Sequence, residues 1–424
     1  MSKKVIIIEA PNKVNGYKKY AGKEYDVLAS YGHCVDLPEK GLGINIKKSF
    51  EPTFEVKDDH QDTINAIKSK CAKSDLVLLM TDPDREGEAI SFHIYEQIKD
   101  IAKKVLRAST SEITASGIKK AIENAGELDQ GKINAYLARR LLDRLVGYRT
   151  SFLTQQATGG KSAGRVQSAV LRILVDRENE ILHFIPEEYW IFTARLLSSK
   201  NEQYTASLSD KFKVPNEAEA TKIYDAVIGG NPVVASVESK DVKSNPYAPF
   251  ATMPLIAAAS SILGWQTKKT MDVAQNLYSN GLISYHRTDS VTIAEEPMQA
   301  IRNYISHTYG SDYIPDKPNY YSAKKGAQEA HEACRPTDIS NVHPSAPEDN
   351  GKLYEIIWRR TVASQMTPGL DKKSKVITDI SEYEFVSNGN QMLFDGHRQV
   401  WHYGKSDDVI LPNLFGGEKC KLLT

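Results

Sequence analysis

The chain lacks net charge: 54 Lys and Arg balance 54 Asp and Glu over 424 residues. Bulk composition therefore says nothing for or against a polyanionic partner, and any such partner must be argued from local charge. Cysteine is scarce. Cys34, Cys71, Cys334 and Cys420 lie far apart with no C-x-x-C spacing, which excludes a zinc ribbon and a disulfide framework. Isolated thiols fit a reducing, cytoplasmic compartment. Long apolar runs are missing too. The longest near the N-terminus, Val5–Ile8, is too short for a signal-peptide core or a membrane span. There is no internal repeat and no low-complexity tract. A phosphate loop is also missing. Gly160-Lys161-Ser162 resembles the end of one, but the required earlier glycine is Gln155 and no buried strand precedes it, so ATP binding is not expected.

The length allows two to four domains at roughly 100–200 residues each. Val5–Ile8, ending in Glu9, and Leu76–Met80, ending in Thr81-Asp82, read as fully buried strands. Ile90, Ile94 and Ile98 then share a helix face. Buried strands with acids at their carboxyl ends and helices between them predict an open parallel α/β sheet, with its ligand site at those ends. From Lys132 to Arg177 helix formers dominate, and nine basic residues face only Asp143 and Asp176. A solvated helical face is the bland alternative there, but so local an excess favours contact with a nucleic-acid backbone. Tyr189–Ser244 reads as strands and Pro249–Gln365 as helices. Val376–Thr424 reads as short strands with turns at Asn388-Gly389 and Asp395-Gly396. Two strand-rich stretches around a helical one imply a single β domain with a helical insertion.

Four segments carry chemistry. In Thr81-Asp82-Pro83-Asp84-Arg85-Glu86-Gly87-Glu88 the acids Asp82, Asp84 and Glu86 alternate after a buried strand, so their carboxylates are expected to converge. Converging acids repel one another, and a divalent cation relieves that. Hard oxygen ligands favour Mg²⁺, with Glu9 placed to join. The alternative is a solvated acidic turn. Ser284-Tyr285-His286-Arg287 puts a cation two residues from a tyrosine, where it would favour the phenolate and neutralise a phosphate; a structural tyrosine is the alternative. Ser162–Ser168 adds Arg165 and Gln167 to the basic stretch. His331 and Arg335, four apart, would share a helix face.

Together, in order and spacing, these segments resemble the type IA DNA topoisomerases over nearly the whole chain. Glu9-Ala10-Pro11-Asn12-Lys13 is similar to the family's Glu-Ser-Pro-x-Lys element, and Gly32-His33 with Asp36-Leu37-Pro38 to its Gly-His-x-x-Asp-Leu-Pro element. The acidic run resembles its Toprim metal motif. Ala138-Arg139-Arg140 through Asp143-Arg144 and on to Tyr148 resembles a helix that holds single-stranded DNA, and Ser284–Asp289 its nucleophile motif. Pro186–Trp190, the His331 segment and Trp358–Met366 resemble further family elements.

The resemblance implies a multi-domain fold mixing α/β, α and β parts in a torus. Its parts would be a Toprim domain at 1–128, a helical single-strand-binding part at 129–185 and a β arch at 186–247. An inserted helical domain with the tyrosine would occupy 248–370, and the arch would resume at 371–424. It implies a catalytic set of Tyr285, Arg287, Glu9, Lys13 and His331, with Mg²⁺ held by Glu9, Asp82, Asp84 and Glu86. It implies DNA contacts from His33, Arg139, Arg140, Asp143, Arg144, Arg165, Gln167 and Arg335. The implied reaction is ATP-independent breakage, passage and rejoining of single strands through a 5′-phosphotyrosine, relaxing negatively supercoiled DNA. The chain departs from the family pattern at Ala10 and His286. After Leu411-Pro412 it has no further helical segment with a Gly-Arg-Pro-Ser element, so a torus left open, or one completed by a partner chain, is expected. Two other readings stay open: a Toprim-type nuclease or primase with a structural Tyr285, and a silent single-strand-binding protein.

Overall fold

The computed structural model describes residues 4–322, 332–404 and 408–424. They form two compact units. The first holds Met1–Leu182, Phe250–Ala294 and Ser322–Trp358, and the second His183–Pro249, Glu295–Tyr321 and Arg359–Thr424. No helix among the described residues is long and apolar enough to cross a membrane.

In the first unit β1 (Lys4–Ile8) and β2 (Tyr25–Ala29) precede two short ribbons. These pair β3 (Val35–Asp36) with β6 (Glu55–Val56) and β4 (Ile44–Asn45) with β5 (Glu51–Pro52). With β7 (Leu76–Leu79) and β8 (Val105–Arg107), the first two strands build the expected parallel sheet in the order β2-β1-β7-β8. Val5 to Ile8 are almost wholly buried, as a strand covered on both faces requires. Helices α1 (Val14–Ala21), α2 (Gln61–Cys71), α3 (Arg85–Ile98) and α4 (Ala115–Glu123) follow their strands. Val5, Ile7, Val77 and Leu79 pack with Ile67 and Cys71 of α2 and with Ile90, Ile94 and Ile98 of α3.

The basic stretch forms α5 (Gln130–Thr158) and α6 (Arg165–Leu182). Asp129 caps α5 by accepting from the Lys132 N–H, and Gly159 ends it in the left-handed conformation at φ 69°. α6 differs from every other long helix described: none of its 18 residues is buried, although Val166, Val170, Leu171, Ile173, Leu174 and Ile181 are apolar.

The second unit is an antiparallel sheet in the order β11-β12-β13-β10-β9-β14. Its elements are β9 (Thr193–Leu197), β10 (Gln203–Leu208), α7 (Glu217–Ile228), β11 (Val233–Ser244), β12 (Gly369–Ile380), β13 (Tyr383–Phe394) and β14 (Lys421–Leu422). Strands from both sides of the helical stretch thus share one sheet, with β11 on β12 and β10 on β13. Ala220, Ile223 and Val227 of α7 join its core. Two expectations fail. α7 interrupts the stretch read as strands only, because Asn216 caps it and its apolar residues recur at helical spacing. Asn388-Gly389 is no turn but the middle of β13, paired with Lys375 and Ser374. Gly389 serves a close approach instead, since a Cβ there would sit 3.0 Å from Leu411 and 3.1 Å from the Val409 carbonyl oxygen.

The intervening helices are α8 (Thr252–Leu263) and α9 (Thr267–Ser279) in the first unit, α10 (Glu295–Tyr309) in the second, and α11 (Glu348–Ser364), which spans both ranges.

Candidate active site

The acidic run starts where β7 stops. It leaves strand geometry at once, because Asp84 is the N-cap of α3, its Oδ1 accepting from the Gly87 N–H at 2.8 Å. The expected alternation therefore does not extend to Glu86, which lies in the first helical turn. Gly87 is required here, since a Cβ would meet the Asp82 carbonyl oxygen at 2.1 Å. Thr81 ties the turn down by donating to the Gly87 carbonyl at 2.6 Å.

Each acid meets a different partner. Asp82, nearly buried, forms an ion pair with Lys13, whose side chain is 1% exposed and whose ammonium lies 4.8 Å from the Tyr278 ring centroid. Asp84 Oδ2 accepts from the Tyr285 hydroxyl at 2.6 Å, across 201 residues of sequence. Glu86 pairs with Arg139 through one oxygen and with His33 Nε2 through the other, the latter at 3.1 Å. Glu9, just past β1, is raised above the usual carboxylate range, first by burial and then by Asp82.

The tyrosine reaches this cluster through its backbone. α9 ends at Ser279, and Gly281 turns the chain at φ 70°, where a Cβ would strike the Ile113 carbonyl oxygen at 2.6 Å. The Tyr285 N–H donates to the Ser111 carbonyl at 2.7 Å, and the Ser284 N–H to the Arg335 carbonyl at 2.8 Å. The Tyr285 ring stands edge-on to Tyr278, centroids 5.2 Å apart. Arg287 favours the phenolate, as expected, but is outweighed. Burial, then Asp84 and Asp82, hold the hydroxyl well above its ordinary range, and Arg287 lowers it by less. In this arrangement Tyr285 is a neutral phenol donating to a carboxylate. Arg287 itself is exposed. His286 is fully buried, and burial pushes its ring down to about 3, so it is neutral.

Along α5 and α6 most of the other expected residues, though not Arg139, line a cleft of about 710 Å³. Arg140, Arg144, Tyr148, Phe152, Arg165 and Gln167 form its walls. Arg140 binds Asp36 through two nitrogens at 2.9 and 2.7 Å, and Arg165 binds Asp143 likewise at 2.7 and 3.1 Å. Arg144 stacks on Tyr148 and donates to its hydroxyl at 2.7 Å. His33 stacks on Tyr136.

Arg335, expected at the DNA on a helix, lies elsewhere. Residues 332–336 are not helical, because Pro336 pushes the residue before it toward extended backbone. Cys334 bridges Phe250 and Pro336 bridges Ile283. The Arg335 side chain is 3% exposed and paired with Glu332 and Glu112, so it braces the tyrosine segment from inside. His331 lies outside the described residues.

Two residues were not singled out from sequence. Tyr278 packs against both Tyr285 and Lys13. Its spacing, seven residues before Tyr285, looks like any core aromatic. Arg107 is buried at the end of β8. It donates to the carbonyls of Leu79, Thr81 and Asp82 at 2.9–3.1 Å and pairs with Glu88 at 2.9 Å, fixing the turn that presents the acids. A charged residue ending a short apolar run was the only available signal.

Among the described residues no group of three or more His, Cys, Asp or Glu is arranged to hold a metal ion. The donors nevertheless suit a hard divalent cation: carboxylate oxygens of Glu9, Asp82 and Asp84, with Glu9 raised first by burial and then by Asp82.

A DNA topoisomerase family model matches residues 127–424, and a Toprim-domain model matches residues 4–113. The DNA topoisomerase 1 of Campylobacter jejuni is 40% identical over 441 residues, covering 100% of this chain and 63% of its own. That of Rickettsia felis is 39% identical, covering 99% and 58%. That of Pseudomonas aeruginosa is 36% identical, covering 100% and 54%. The solved full-length topoisomerase I from Thermotoga maritima matches with a TM-score of 0.86 and 33% identity, over 99% of this chain and 71% of that one. The chain thus spans under two thirds of each of these three curated relatives.

Proposed function

The chain belongs to the bacterial type IA DNA topoisomerases, and from that premise we propose that it cuts and rejoins single-stranded DNA through Tyr285 without ATP. The observation that carries the proposal is the 2.6 Å hydrogen bond from Tyr285 to Asp84, which sets a nucleophile against the acid cluster. As the phenol oxygen attacks phosphorus, its proton passes to Asp84 Oδ2 along that bond. The 3′ oxygen leaves and takes a proton through Glu9, whose proton affinity is raised first by burial and then by Asp82. Lys13 and Arg287 neutralise charge growing on the phosphate. One phosphate ester replaces another, so resealing by the 3′ hydroxyl needs no outside energy.

Toprim domains generally bind divalent metal, and Mg²⁺ is the cation we assign to Glu9, Asp82 and Asp84, from their hard oxygen donors. When bound it supplies positive charge that aligns the cut ends for rejoining. Glu86, engaged by Arg139 and His33, would enter only on releasing them. His331 is kept in the catalytic set by the resemblance alone. The strand would lie in the α5–α6 cleft on Arg140, Arg144, Arg165 and Gln167 and reach Arg139 beside Glu86, with negatively supercoiled DNA as the substrate and the cytoplasm as the place of action. We further propose that the bare apolar surface of α6 takes a helical segment of the kind the longer relatives carry, in the same or another polypeptide. A helix apolar on many sides is otherwise found buried.

The test is incubation with a labelled single-stranded oligonucleotide followed by denaturing electrophoresis. The chain is expected to yield a shifted adduct and Tyr285→Phe none, while noncovalent binding persists. An adduct that survives Tyr285→Phe ends the proposal, and hydrolysed oligonucleotide without adduct points to a Toprim-type nuclease. Unmodified oligonucleotide bound in a salt-sensitive way leaves the chain a silent single-strand binder.

A further inference from the structure

The second unit contains a cavity of about 690 Å³ that the strand-cutting chemistry does not use. Its floor is one face of the outer half of β11, β12 and β13, and His397, Trp401, Tyr403, Asp408 and Val409 line the side above it. Val409 is held to the sheet by paired backbone hydrogen bonds with Asn390 at 2.8 and 2.9 Å.

The floor is charged in an unfavourable way. Lys240 stands directly opposite Lys373 in the β11–β12 register, an exposed like-charged pair whose repulsion a bound anion would relieve. Lys375 lies two residues further along the same face. Among the described residues none of these three lysines forms an ion pair. The acids of the cavity are occupied: Asp371 accepts from Arg398 at 2.9 Å, and Asp408 from the Met392 N–H at 3.0 Å. The amides of Asn388 and Asn390, opposite Lys375 and Lys373, complete a polar floor.

The wall is aromatic. Trp401 and Tyr403 meet edge to face at 4.9 Å, and the Arg360 guanidinium stacks between Trp401 and the exposed Tyr247 ring at 4.4 and 4.6 Å. Flat hydrophobic faces beside cations are what stack nucleic-acid bases while their phosphates are held. One buried atom also waits for a partner. His397 is 3% exposed, and its Nε2 lies 3.1 Å from the Ser244 carbonyl, so Nε2 carries the proton. Its Nδ1 is then a bare acceptor, and it has no hydrogen-bond partner. Burial keeps the ring neutral.

We propose that this cavity binds a short stretch of single-stranded nucleic acid. Lys240, Lys373 and Lys375 hold its phosphates, a base lies against the Trp401–Tyr403 wall, and His397 Nδ1 accepts from a base amino group or sugar hydroxyl. The volume is that of a ligand cleft, too small for a duplex. The site belongs to the unit that lacks the nucleophile, so the chain has a second hold on a strand besides the one being cut.

The test is photocrosslinking of the full chain to a 4-thiothymidine oligonucleotide, with crosslinked peptides mapped by mass spectrometry. Crosslinks are expected in the peptides containing Tyr247 and Trp401–Tyr403, and separately in α5–α6. The double variant Lys240→Ser/Lys373→Ser should lose the first set and keep the second, and Lys373→Arg should keep both. Tyr403→Ala should weaken the first set about 5- to 150-fold, the range for one lost stacking contact. The proposal is overturned if the unaltered chain gives no crosslinks in those peptides at saturation. It is equally overturned if the double-serine variant retains them. The Tyr285 adduct, scored in the same samples, reports the cutting reaction independently.

Discussion

Arg107 offers the sharpest quantitative test. Its side chain and that of Glu88 are 6% and 4% exposed, and they meet at 2.9 Å. Removing one partner of a buried pair leaves an uncompensated charge and costs about 3–5 kcal/mol. Arg107→Met also strips hydrogen bonds from the carbonyls of Leu79, Thr81 and Asp82, each worth about 1 kcal/mol or more when the acceptor stays buried. The loss is thus a large share of the ~5–15 kcal/mol that holds a domain together. The double variant Arg107→Met/Glu88→Gln removes the stranded charge, while the amide oxygen of the introduced glutamine can still accept from the Asp129 N–H, as the Glu88 carboxylate does. It should recover about 2–4 kcal/mol of the loss, most of the cost of an unpaired buried charge. Urea unfolding followed by circular dichroism measures both. If the double variant is no more stable than the single one, the stranded charge is not what makes Arg107 necessary, and the reasoning fails.

Further outcomes follow from the same geometry. His93 is buried among Phe54, Phe92 and Tyr136, and burial depresses it to about 4 against 6.5 when free. The unfolded chain therefore binds the extra proton first. Stability should fall as pH drops from 6.5 towards 4, by up to about 3 kcal/mol, and His93→Phe should flatten that limb in thermal melts. Gly281→Ala forces a side chain into the left-handed region and onto the Ile113 carbonyl. It should cost at least about 1–2 kcal/mol and cut adduct yield, whereas an undiminished yield would show that the tyrosine segment needs no such approach. Chelation with EDTA should stop plasmid relaxation while oligonucleotide binding persists, and relaxation unchanged in EDTA would remove the assigned cation from the cycle.

Much of the first unit was legible because its signals are local. Val5–Ile8 and Leu76–Met80 could only be buried strands, and Ile90, Ile94 and Ile98 fix one face of α3. What the sequence left hidden is pairing at a distance. Nothing near Tyr285 says that Asp84 will accept a hydrogen bond from its hydroxyl, because that contact depends on Gly281 and on the Ser111 carbonyl. Glu86 seemed to share the alternation of Asp82 and Asp84 because strand geometry was carried past Met80, while Asp84 had already begun a helix. α7 had a readable start at Asn216, masked by the strand-like text around it. Gly389 looked like a turn because an Asn-Gly pair usually makes one, and only the returning Leu411 explains a glycine inside a strand. Arg335 looked like a surface cation until Glu112 and Glu332 were found beside it.

The pairing of β11 with β12 has a consequence for synthesis. β11 ends at Ser244 and its partner begins at Gly369, so 125 residues must be made before the sheet can close. At ~5–20 residues per second that is about 6–25 s, during which the nascent strand keeps an open edge. The charged residues Glu238, Lys240, Asp241 and Lys243 on β11 discourage stray partners in that interval, as charged edges do in finished sheets. A ribosome-tethered series of lengths should therefore show protease resistance of 183–244 arising only once the chain passes about residue 394, where β13 ends.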